Sequence, residues 1–275
     1  MTELPKLFDL TGRVAIVTGG AGLLGAEFCR TLAQAGAAVI IADMDGEAAA
    51  NLAASLSQSG FQALGVGTDV TRADSVQGMV DSTLRNYDQL DILVNSAALD
   101  PKFDPQSKKS HSGAFEDYPL DLWQQALDVN LTGMFLSCQA AVKPMLEQGN
   151  GVIINVASIY GLTAPDQRVY QRDGEPPQYK PVYYTVTKAG VLGMTKYLAA
   201  YYAGIAARIR VNALTPGGVF NEHSDEFVKA YSARAVIGRM AEKDEMNGAL
   251  LFLASDASKY MTGANLIVDG GWTAW

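Results

Sequence analysis

Short apolar runs alternate with segments of helical periodicity along the whole chain. The runs are rich in valine and isoleucine and lack polar alternation, so they predict strands that are covered on both faces. The predicted strands are Val14–Thr18, Ala38–Asp43, Phe61–Gly67, Asp91–Asn95, Val152–Ala157, Arg210–Leu214 and Asn265–Val268. The predicted helices are Leu23–Gly36, Glu47–Ser59, Arg72–Asn86, Leu120–Gln148, Val182–Ala206 and Glu242–Ala254. We expect one α/β domain over residues 1–275, a doubly wound parallel sheet of seven strands with helices on both faces.

Three segments interrupt this rhythm. Leu99–Pro119 and Ile159–Pro181 are long and rich in polar residues and proline, and such loops in a compact domain are usually functional. A solvated surface excursion is the alternative for both. Residues 217–233 carry Phe220 and Phe227 and predict a mobile lid, with plain amphipathic packing as the alternative. We expect all three to be substrate loops.

Composition and charge exclude several classes of protein. With 48% hydrophobic residues and a net charge of −8, the chain can bury a core and has no clustered basic residues to neutralise phosphates. This excludes nucleic acid and an anionic membrane as expected partners. No apolar signal segment follows Met1, and Cys29 and Cys138 fit reduced, buried thiols in helices, so we expect a cytoplasmic protein. His111 and His223 lie in loops without a ligand cluster, so no metal site is expected.

A glycine-rich turn joins the first strand to a helix. It reads Thr18-Gly19-Gly20-Ala21-Gly22-Leu23-Leu24-Gly25, and glycines here let backbone N–H groups approach a pyrophosphate at the helix N-terminus. The second strand ends at Asp43, where a carboxylate accepts hydrogen bonds from an adenosine ribose and repels a 2′-phosphate. We therefore predict NAD rather than NADP. An ordinary turn aspartate is the alternative for Asp43.

Further polar residues follow the next strands. Asp69 is predicted to bind the adenine amino group with Val70 packed on the ring, although a helix N-cap role is the alternative. Asn95 ends the fourth strand, at the edge of the sheet where ligands bind. Asn130 lies inside a predicted helix, where asparagine is unfavourable.

A tyrosine and a lysine share one face of the helix after the fifth strand. Tyr184 and Lys188 stand four residues apart, and a cation beside a phenol favours the phenolate and lowers its pKa. Such a pair arises easily by chance in a chain with 12 tyrosines. Ser158, at the carboxyl end of the fifth strand, adds a hydroxyl expected at the same edge.

These pieces together resemble the short-chain dehydrogenase/reductase family, from about Leu10 to Gly271. The ordered set comprises the turn Thr18–Gly25, Asp69-Val70, Asn95-Ser96-Ala97-Ala98, Asn130, Ser158, Tyr184, Lys188, Pro216-Gly217, Thr262-Gly263 and Val268-Asp269-Gly270-Gly271. The resemblance implies a Rossmann-type fold and an NAD-dependent oxidoreductase that interconverts a secondary alcohol and a ketone.

The resemblance also implies a role for each matching residue. Tyr184 exchanges the proton, Lys188 holds the nicotinamide ribose, Ser158 bonds the substrate oxygen, and Asn130 holds a water that links Lys188 to solvent. Pro216 and the backbone that follows orient the nicotinamide. The implied cofactor-binding set is Gly19, Gly22, Leu24, Gly25, Asp43, Asp69, Val70, Asn95, Ala97, Lys188, Pro216, Gly217 and Val219.

Three departures from the family pattern stand out. The middle glycine of the turn is Gly22, one residue early, with Leu23 at its usual position. Ala98 ends the motif that begins at Asn95, where the family commonly has glycine. Ser158 and Tyr184 stand farther apart than is common, so Ile159–Pro181 contains an insertion that we expect to lie over the substrate.

The insertion bears on the substrate. Arg168 and Arg172 fit a clamp for a carboxylate, with internal salt bridges as an equal alternative. Tyrosines Tyr160, Tyr170, Tyr179 and Tyr183 and Gln178 suit a sugar. The pattern from Ser158 to Asp166 and the ending Gly270–Trp275 also resemble a subgroup of oxidoreductases of flagellin-modification and nonulosonate sugar pathways. A sugar-like, anionic small molecule is therefore the expected substrate.

The resemblance further implies a homotetramer built on Leu120–Gln148 and Val182–Ala206, with the aromatic end Trp272–Trp275 buried against a neighbour. Two other functions stay open on the same fold. One is a catalytically silent NAD-binding or regulatory protein, because fold does not fix function. The other is a sugar epimerase or dehydratase, whose relatives usually carry a larger substrate domain.

Overall fold

Seven parallel strands form the sheet of the computed structural model, which describes residues 4–100, 112–172, 174–203 and 208–275. The strands are β1 (Val14–Thr18), β2 (Ala38–Asp43), β3 (Ala63–Gly67), β4 (Ile92–Asn95), β5 (Asn150–Val156), β6 (Arg208–Pro216) and β7 (Asn265–Val268). Their order is β3-β2-β1-β4-β5-β6-β7, with every pair parallel. The order reverses between β1 and β4, which is where ligands bind in open sheets of this type.

Helices connect the strands and cover both faces of the sheet. They are α1 (Leu4–Leu7), α2 (Leu23–Gln34), α3 (Gly46–Gln58), α4 (Ala73–Tyr87), α5 (Leu120–Leu127), α6 (Gly133–Gln148), α7 (Val182–Ala203), α8 (Asp225–Ser232) and α9 (Asn247–Ala254). Neighbouring strand residues point to opposite faces. Ile16 and Ile40 therefore pack in one core with α4, α6 and α7, whereas Val17 and Ile41 pack in the other with α2, α3 and α9. The predicted doubly wound α/β fold is confirmed.

Two predicted helices differ from the structure. The segment 120–148 is interrupted by a π-turn, Asp128–Thr132, in which the N–H of Gly133 donates to the carbonyl of Asp128, five residues earlier. The helix predicted from residue 242 begins only at Asn247, because the carboxylate of Glu245 accepts from the N–H of Glu242 at 2.8 Å and closes a turn.

The predicted loops are also partly different. Residues 217–233 contain α8, whose N-cap Ser224 accepts a hydrogen bond from the N–H of Phe227. Residues 159–181 hold two 3₁₀ turns, Ile159–Gly161 and Gln167–Tyr170. Residues 101–111, with most of the loop 99–119 and His111, lie outside the described residues, as does the end of the helix predicted to reach residue 206.

A chain of buried hydrogen bonds runs from β4 through β5 to α7. The amide of Asn95 donates to Oδ1 of Asn155 at 2.8 Å, the amide of Asn155 donates to the hydroxyl of Thr195 at 2.9 Å, and that hydroxyl donates to the carbonyl of Val191 at 2.8 Å. Asn155 is fully buried and Thr195 nearly so. Each bond needs an amide N–H that faces an acceptor, so the chain fixes the orientation of both asparagine amides.

This chain generates a stability prediction. We expect Thr195→Val to lower the free energy of unfolding by about 1–3 kcal/mol, because it leaves the buried amide of Asn155 without an acceptor while keeping the side-chain shape. Urea denaturation measures the change. Thr195→Ser, which keeps the hydroxyl and removes the methyl group, should lose clearly less; equal losses in the two variants would show that the hydrogen bond contributes no more to stability than the methyl contact.

Candidate active site

The glycine turn brings the start of α2 very close to the end of β1. A Cβ on Gly25 would lie 2.0 Å from the carbonyl oxygen of Gly19, so no other residue fits there without moving the helix. Gly19 has φ +63°, a conformation that favours glycine, and its own Cβ would lie 2.8 Å from Ala97. These two glycines hold the helix N-terminus against the edge of the sheet.

The early glycine of the turn becomes the N-cap of α2. Gly22 caps the helix without any side-chain hydrogen bond, and Leu23 is the first helical residue, with 39% of its side chain exposed. The first turn of α2 carries no acidic residue. Because the N-cap of this twelve-residue helix offers no side-chain acceptor, its first N–H groups suit the pyrophosphate of a dinucleotide. The residues present therefore fit that cofactor. Leu24 packs against the core behind the turn.

Asp43 accepts two backbone hydrogen bonds at the end of β2. Oδ2 of its carboxylate accepts from the N–H of Ala21 in the glycine turn at 3.0 Å, and Oδ1 accepts from the N–H of Asp45 at 3.1 Å. The second bond is typical of an ordinary turn aspartate, the alternative role considered for Asp43. Each carboxylate oxygen accepts more than one hydrogen bond, so this geometry is compatible with a ribose ligand.

Asp69 is a turn residue in the structure. Its Oδ1 accepts from the N–H of Thr71 at 2.9 Å and from the Thr71 hydroxyl at 2.7 Å, and the N-cap of α4 is Arg72 rather than either of them. Val70 beside it is buried against Gly133. The N–H of Ala97 donates to the hydroxyl of Thr18 at 3.3 Å, which joins the ends of β4 and β1.

Pro216 ends β6 on the opposite side of the site. The N–H of Gly217 donates to the carbonyl of Val268 at 2.9 Å, and a Cβ on Gly217 would lie 2.8 Å from Asp269. Val219 forms an isolated bridge with Ala241. The backbone after β6 is thus fixed along the same carboxyl edge as the glycine turn.

Ser158, Tyr184 and Lys188 meet at the end of β5. The hydroxyl of Ser158 accepts from the N–H of Tyr160 at 3.2 Å, and the ammonium of Lys188 donates to the carbonyl of Val156 at 2.9 Å. Lys188 Nζ lies 5.8 Å from the centroid of the Tyr184 ring. All three are buried, so the helix spacing and the strand end bring together the groups that the sequence singled out.

Burial is the main influence on the pKa values of Tyr184 and Lys188. It raises the pKa of Tyr184 well above its ordinary value; Asp100 adds to the rise, and the hydrogen bond from Ser158 opposes it. The sequence predicted a lowered pKa from Lys188 alone, and the structure differs because desolvation outweighs a cation that faces the ring. Burial also lowers the pKa of Lys188 to about 8.

Asn130 lies within the π-turn and uses its side chain structurally. Its Oδ1 accepts from the N–H of Leu99 at 2.6 Å, while its amide donates to the carbonyl of Leu99 and the hydroxyl of Thr187, both at 3.2 Å. A small cavity lies between Asn130 and Lys188 and is also lined by Asn95, whose Oδ1 is buried without a hydrogen-bond partner. This is a polar position of the kind that a buried water fills.

The arginines of the insertion form internal salt bridges. Arg168 chelates Asp166 through two bonds of 2.8 Å, and Arg172 donates to Glu226 at 3.2 Å and to Ser224 at 2.5 Å. The predicted carboxylate clamp is therefore wrong, because the structure has the alternative arrangement, in which both arginines form salt bridges within the protein.

The aromatic residues form a closed cluster beside the site. The hydroxyl of buried Tyr170 donates to that of Tyr160 at 2.9 Å, and Tyr160 stands edge-on to Tyr184. Trp272 is buried and stacks on Tyr231 at 4.1 Å, so the first tryptophan of the predicted terminal contact packs within its own chain.

Lys180 and Asp100 are site residues that the sequence reasoning missed. Lys180 is buried, forms an ion pair with Asp100, and places its Nζ 4.2 Å from the centroid of the Tyr184 ring. The sequence does contain a signal for Lys180, which stands just before Pro181 and the helix of Tyr184. Treating the charges of the insertion as one sum hid the position of this lysine.

The described residues show neither a metal-binding cluster nor a helix suited to cross a membrane. Within residues 4–100, 112–172, 174–203 and 208–275, no group of three or more histidine, cysteine, aspartate or glutamate side chains is placed to hold a metal ion. Over the same part of the chain, no helix combines the length and apolar character needed to cross a membrane.

Comparison with known proteins agrees with this geometry. A family model described as enoyl-(acyl carrier protein) reductase matches residues 20–273. A solved short-chain type dehydrogenase/reductase from Mycobacterium marinum is 33% identical, covers 100% of both chains and superposes with a TM-score of 0.85. The chain belongs to the short-chain dehydrogenase/reductase family. It is therefore a nicotinamide-dependent oxidoreductase with a Rossmann-type fold.

Other members of the family differ in substrate. D-threitol dehydrogenase of Mycolicibacterium smegmatis is 36% identical over 99% of each chain. A 3-alpha-(or 20-beta)-hydroxysteroid dehydrogenase of Mycobacterium bovis is 38% identical over 96% of this chain and 91% of its own. A gluconate 5-dehydrogenase from Burkholderia cenocepacia, solved with NADP and tartrate, is 31% identical, with a TM-score of 0.85 over 99% of this chain and 100% of its own.

The glycine cradle generates a testable contrast. We expect Gly25→Ala to abolish measurable NADH binding and to destabilise the fold, because its methyl group would overlap the Gly19 carbonyl. Gly22→Ala places its Cβ 3.2 Å from the same oxygen and should fold with near-native stability. Thermal unfolding and NADH fluorescence titration measure both variants; tight NADH binding by Gly25→Ala would contradict the cradle.

Proposed function

We propose that the protein is an NAD-preferring dehydrogenase that interconverts a secondary hydroxyl and a ketone on a sugar-like substrate. The observation that carries this proposal is the convergence of three buried groups, Ser158, Tyr184 and Lys188, at the carboxyl end of β5, with Nζ of Lys188 5.8 Å from the centroid of the Tyr184 ring. Two hydroxyl groups and a cation at one edge of the sheet suit an oxygen that changes between alcohol and carbonyl. The intact set argues against a catalytically silent relative.

The residues of this chain would act as follows. The glycine turn and the N-terminus of α2 hold a dinucleotide, which, when bound, supplies or accepts the hydride. Ser158 donates to the substrate oxygen and orients it. Tyr184 takes the hydroxyl proton in oxidation and returns it in reduction. Lys188 lies behind the ring and favours the charged phenolate at the moment of transfer.

Proton exchange with solvent needs a path behind Lys188. The side chain of Asn130 is engaged by Leu99 and Thr187, so we assign it to holding the loop after β4 in place. We propose that a water in the cavity between Asn130, Asn95 and Lys188 carries the proton onward, using the unpartnered Oδ1 of Asn95 as an acceptor. We likewise propose that Asp69, Val70 and Val219 contact the cofactor.

We propose a polyol or sugar acid as the substrate class. The threitol and gluconate dehydrogenases support this choice, whereas the hydroxysteroid relative makes a sterol the competing class. A panel of tetritols, hexonates and hydroxysteroids, assayed with NAD and NADP by absorbance of the reduced cofactor, separates the two. An epimerase would instead retain its cofactor through gel filtration without releasing NADH.

We also propose a cytoplasmic homotetramer. Tyr197 and Tyr201 stack on each other at 5.9 Å on the outer face of α7, with 65% and 51% of their surfaces exposed, and Phe135 is exposed on α6. Exposed aromatic residues on the two helices support them as the subunit interface. The final Trp275 is also exposed and is available for a second contact.

The first functional prediction concerns Tyr184. We expect Tyr184→Phe to lower kcat by about 100-fold or more while the Kd for NADH stays within about twofold, because only the proton carrier is removed. Steady-state kinetics and fluorescence titration measure the two quantities. Tyr260→Phe, a change at a fully exposed tyrosine, should leave both unaltered, and substantial turnover by Tyr184→Phe would remove Tyr184 from the mechanism.

The second functional prediction concerns the choice between NAD and NADP. Asp43→Asn keeps one of the two oxygen acceptors that serve the N–H groups of Ala21 and Asp45, and it removes the charge that repels a 2′-phosphate. We expect the ratio of kcat/KM for NAD to that for NADP to fall at least about tenfold, or about 1.4 kcal/mol. An unchanged ratio would reduce Asp43 to a turn residue.

A further inference from the structure

Tyr184 has a second lysine beside it. Lys180 belongs to the insertion, is only 8% exposed, and places its Nζ 4.2 Å from the centroid of the Tyr184 ring, closer than the 5.8 Å of Lys188. A buried ammonium is costly unless charged or π-rich groups compensate it. The groups that do so here are Asp100 and the face of the reactive phenol.

The insertion holds Lys180 rigidly in this position. The side-chain amide of Gln167 accepts from the N–H of Lys180 at 2.9 Å and donates to its carbonyl at 3.2 Å. Pro181 follows, and its carbonyl accepts from the N–H of Tyr184 at 3.1 Å, so the lysine is joined directly to the first turn of α7. These contacts fix the backbone of Lys180, and its ammonium is held by the ion pair with Asp100.

Asp100 is the counter-charge of the pair. It follows β4, and its side chain is 55% exposed, so the pair extends from the solvent to the ring of Tyr184. The carboxylate raises the pKa of Tyr184 and opposes the lowering of the pKa of Lys188, which means that its charge acts on both groups. A negative charge that raises the pKa of Tyr184 and a positive charge over its ring are thus paired with each other beside the same phenol.

We propose that Lys180 is a positioning residue which, against Asp100, sets the pH at which Tyr184 exchanges its proton. The assignment rests on the proposed function, since it acts through the same tyrosine. The polar and titratable groups facing this phenol are Lys188 and Tyr183 on α7, Ser158 after β5, Tyr160 in the 3₁₀ turn, Asp100 after β4 and Lys180 before α7. Among these groups, removal of Lys180 and removal of Asp100 should move the pH of proton exchange in opposite directions.

The test is the pH profile of kcat/KM for alcohol oxidation, read at its acidic limb. Lys180→Met leaves the carboxylate uncompensated, disfavours the phenolate and should raise the midpoint by about one pH unit. Asp100→Asn leaves the ammonium uncompensated and should lower the midpoint. The double variant should return close to the wild-type midpoint, and Lys180→Arg, which keeps the charge, should stay near it.

Controls separate this role from a structural one. Lys196→Met removes an exposed charge from the same helix and should not move the midpoint. Loss of stability alone would shift Tm in the variants without opposite shifts of the midpoint. If Lys180→Met and Asp100→Asn move the midpoint in the same direction or not at all, or if Lys180→Met only raises KM for carboxylated substrates, the proposal is overturned.

A second readout does not depend on turnover. Difluorotyrosine, whose phenol is more acidic than that of tyrosine, can replace the tyrosines, and the ¹⁹F resonance lost in Tyr184→Phe identifies Tyr184. Its titration should shift upward in Lys180→Met and downward in Asp100→Asn. Absence of turnover on every alcohol tested would refute the proposed function, whereas absence of opposite ¹⁹F shifts would refute the role of Lys180.

Discussion

The close approach of the turn after β5 to α7 is the constraint on which the site depends. A Cβ on Gly161 would lie 2.6 Å from the carbonyl of Lys188, so only glycine lets the backbone lie this near the helix. From the helix side, Lys188 donates to the carbonyl of Val156. These two contacts fix Ser158 against Tyr184, although the intervening chain leaves the site and returns through 3₁₀ turns and prolines.

The fold was largely predictable because its information is local. A covered parallel strand is a short run of branched apolar residues, and each of the seven runs became a strand within a few residues of its predicted limits. The errors occurred where side-chain hydrogen bonds replaced periodicity. Glu245 closes a turn that delays α9, Ser224 begins α8 inside an expected loop, and Asn130 lies in a π-turn that no propensity scale indicates.

The site was predictable only in part. The helical spacing of Tyr184 and Lys188 and the strand-end position of Ser158 follow from local sequence. The proximity of Lys180 to the phenol does not, because it depends on how the insertion folds back through Gln167. The acidity of Tyr184 likewise depends on burial by residues distant in sequence, which explains why a charge argument from one neighbour gave the wrong sign.

The insertion and α8 are joined at several points. Arg172 bonds Ser224 and Glu226, Tyr170 packs on Phe227 at 5.6 Å, and Asp166 pairs with Arg234 just beyond the helix. Neither segment can move outward alone without breaking charged and aromatic contacts, so we expect any such movement to involve both segments together. Because Lys180 belongs to the insertion and lies 4.2 Å from the centroid of the Tyr184 ring, such a movement would also alter the electrostatic environment of the phenol.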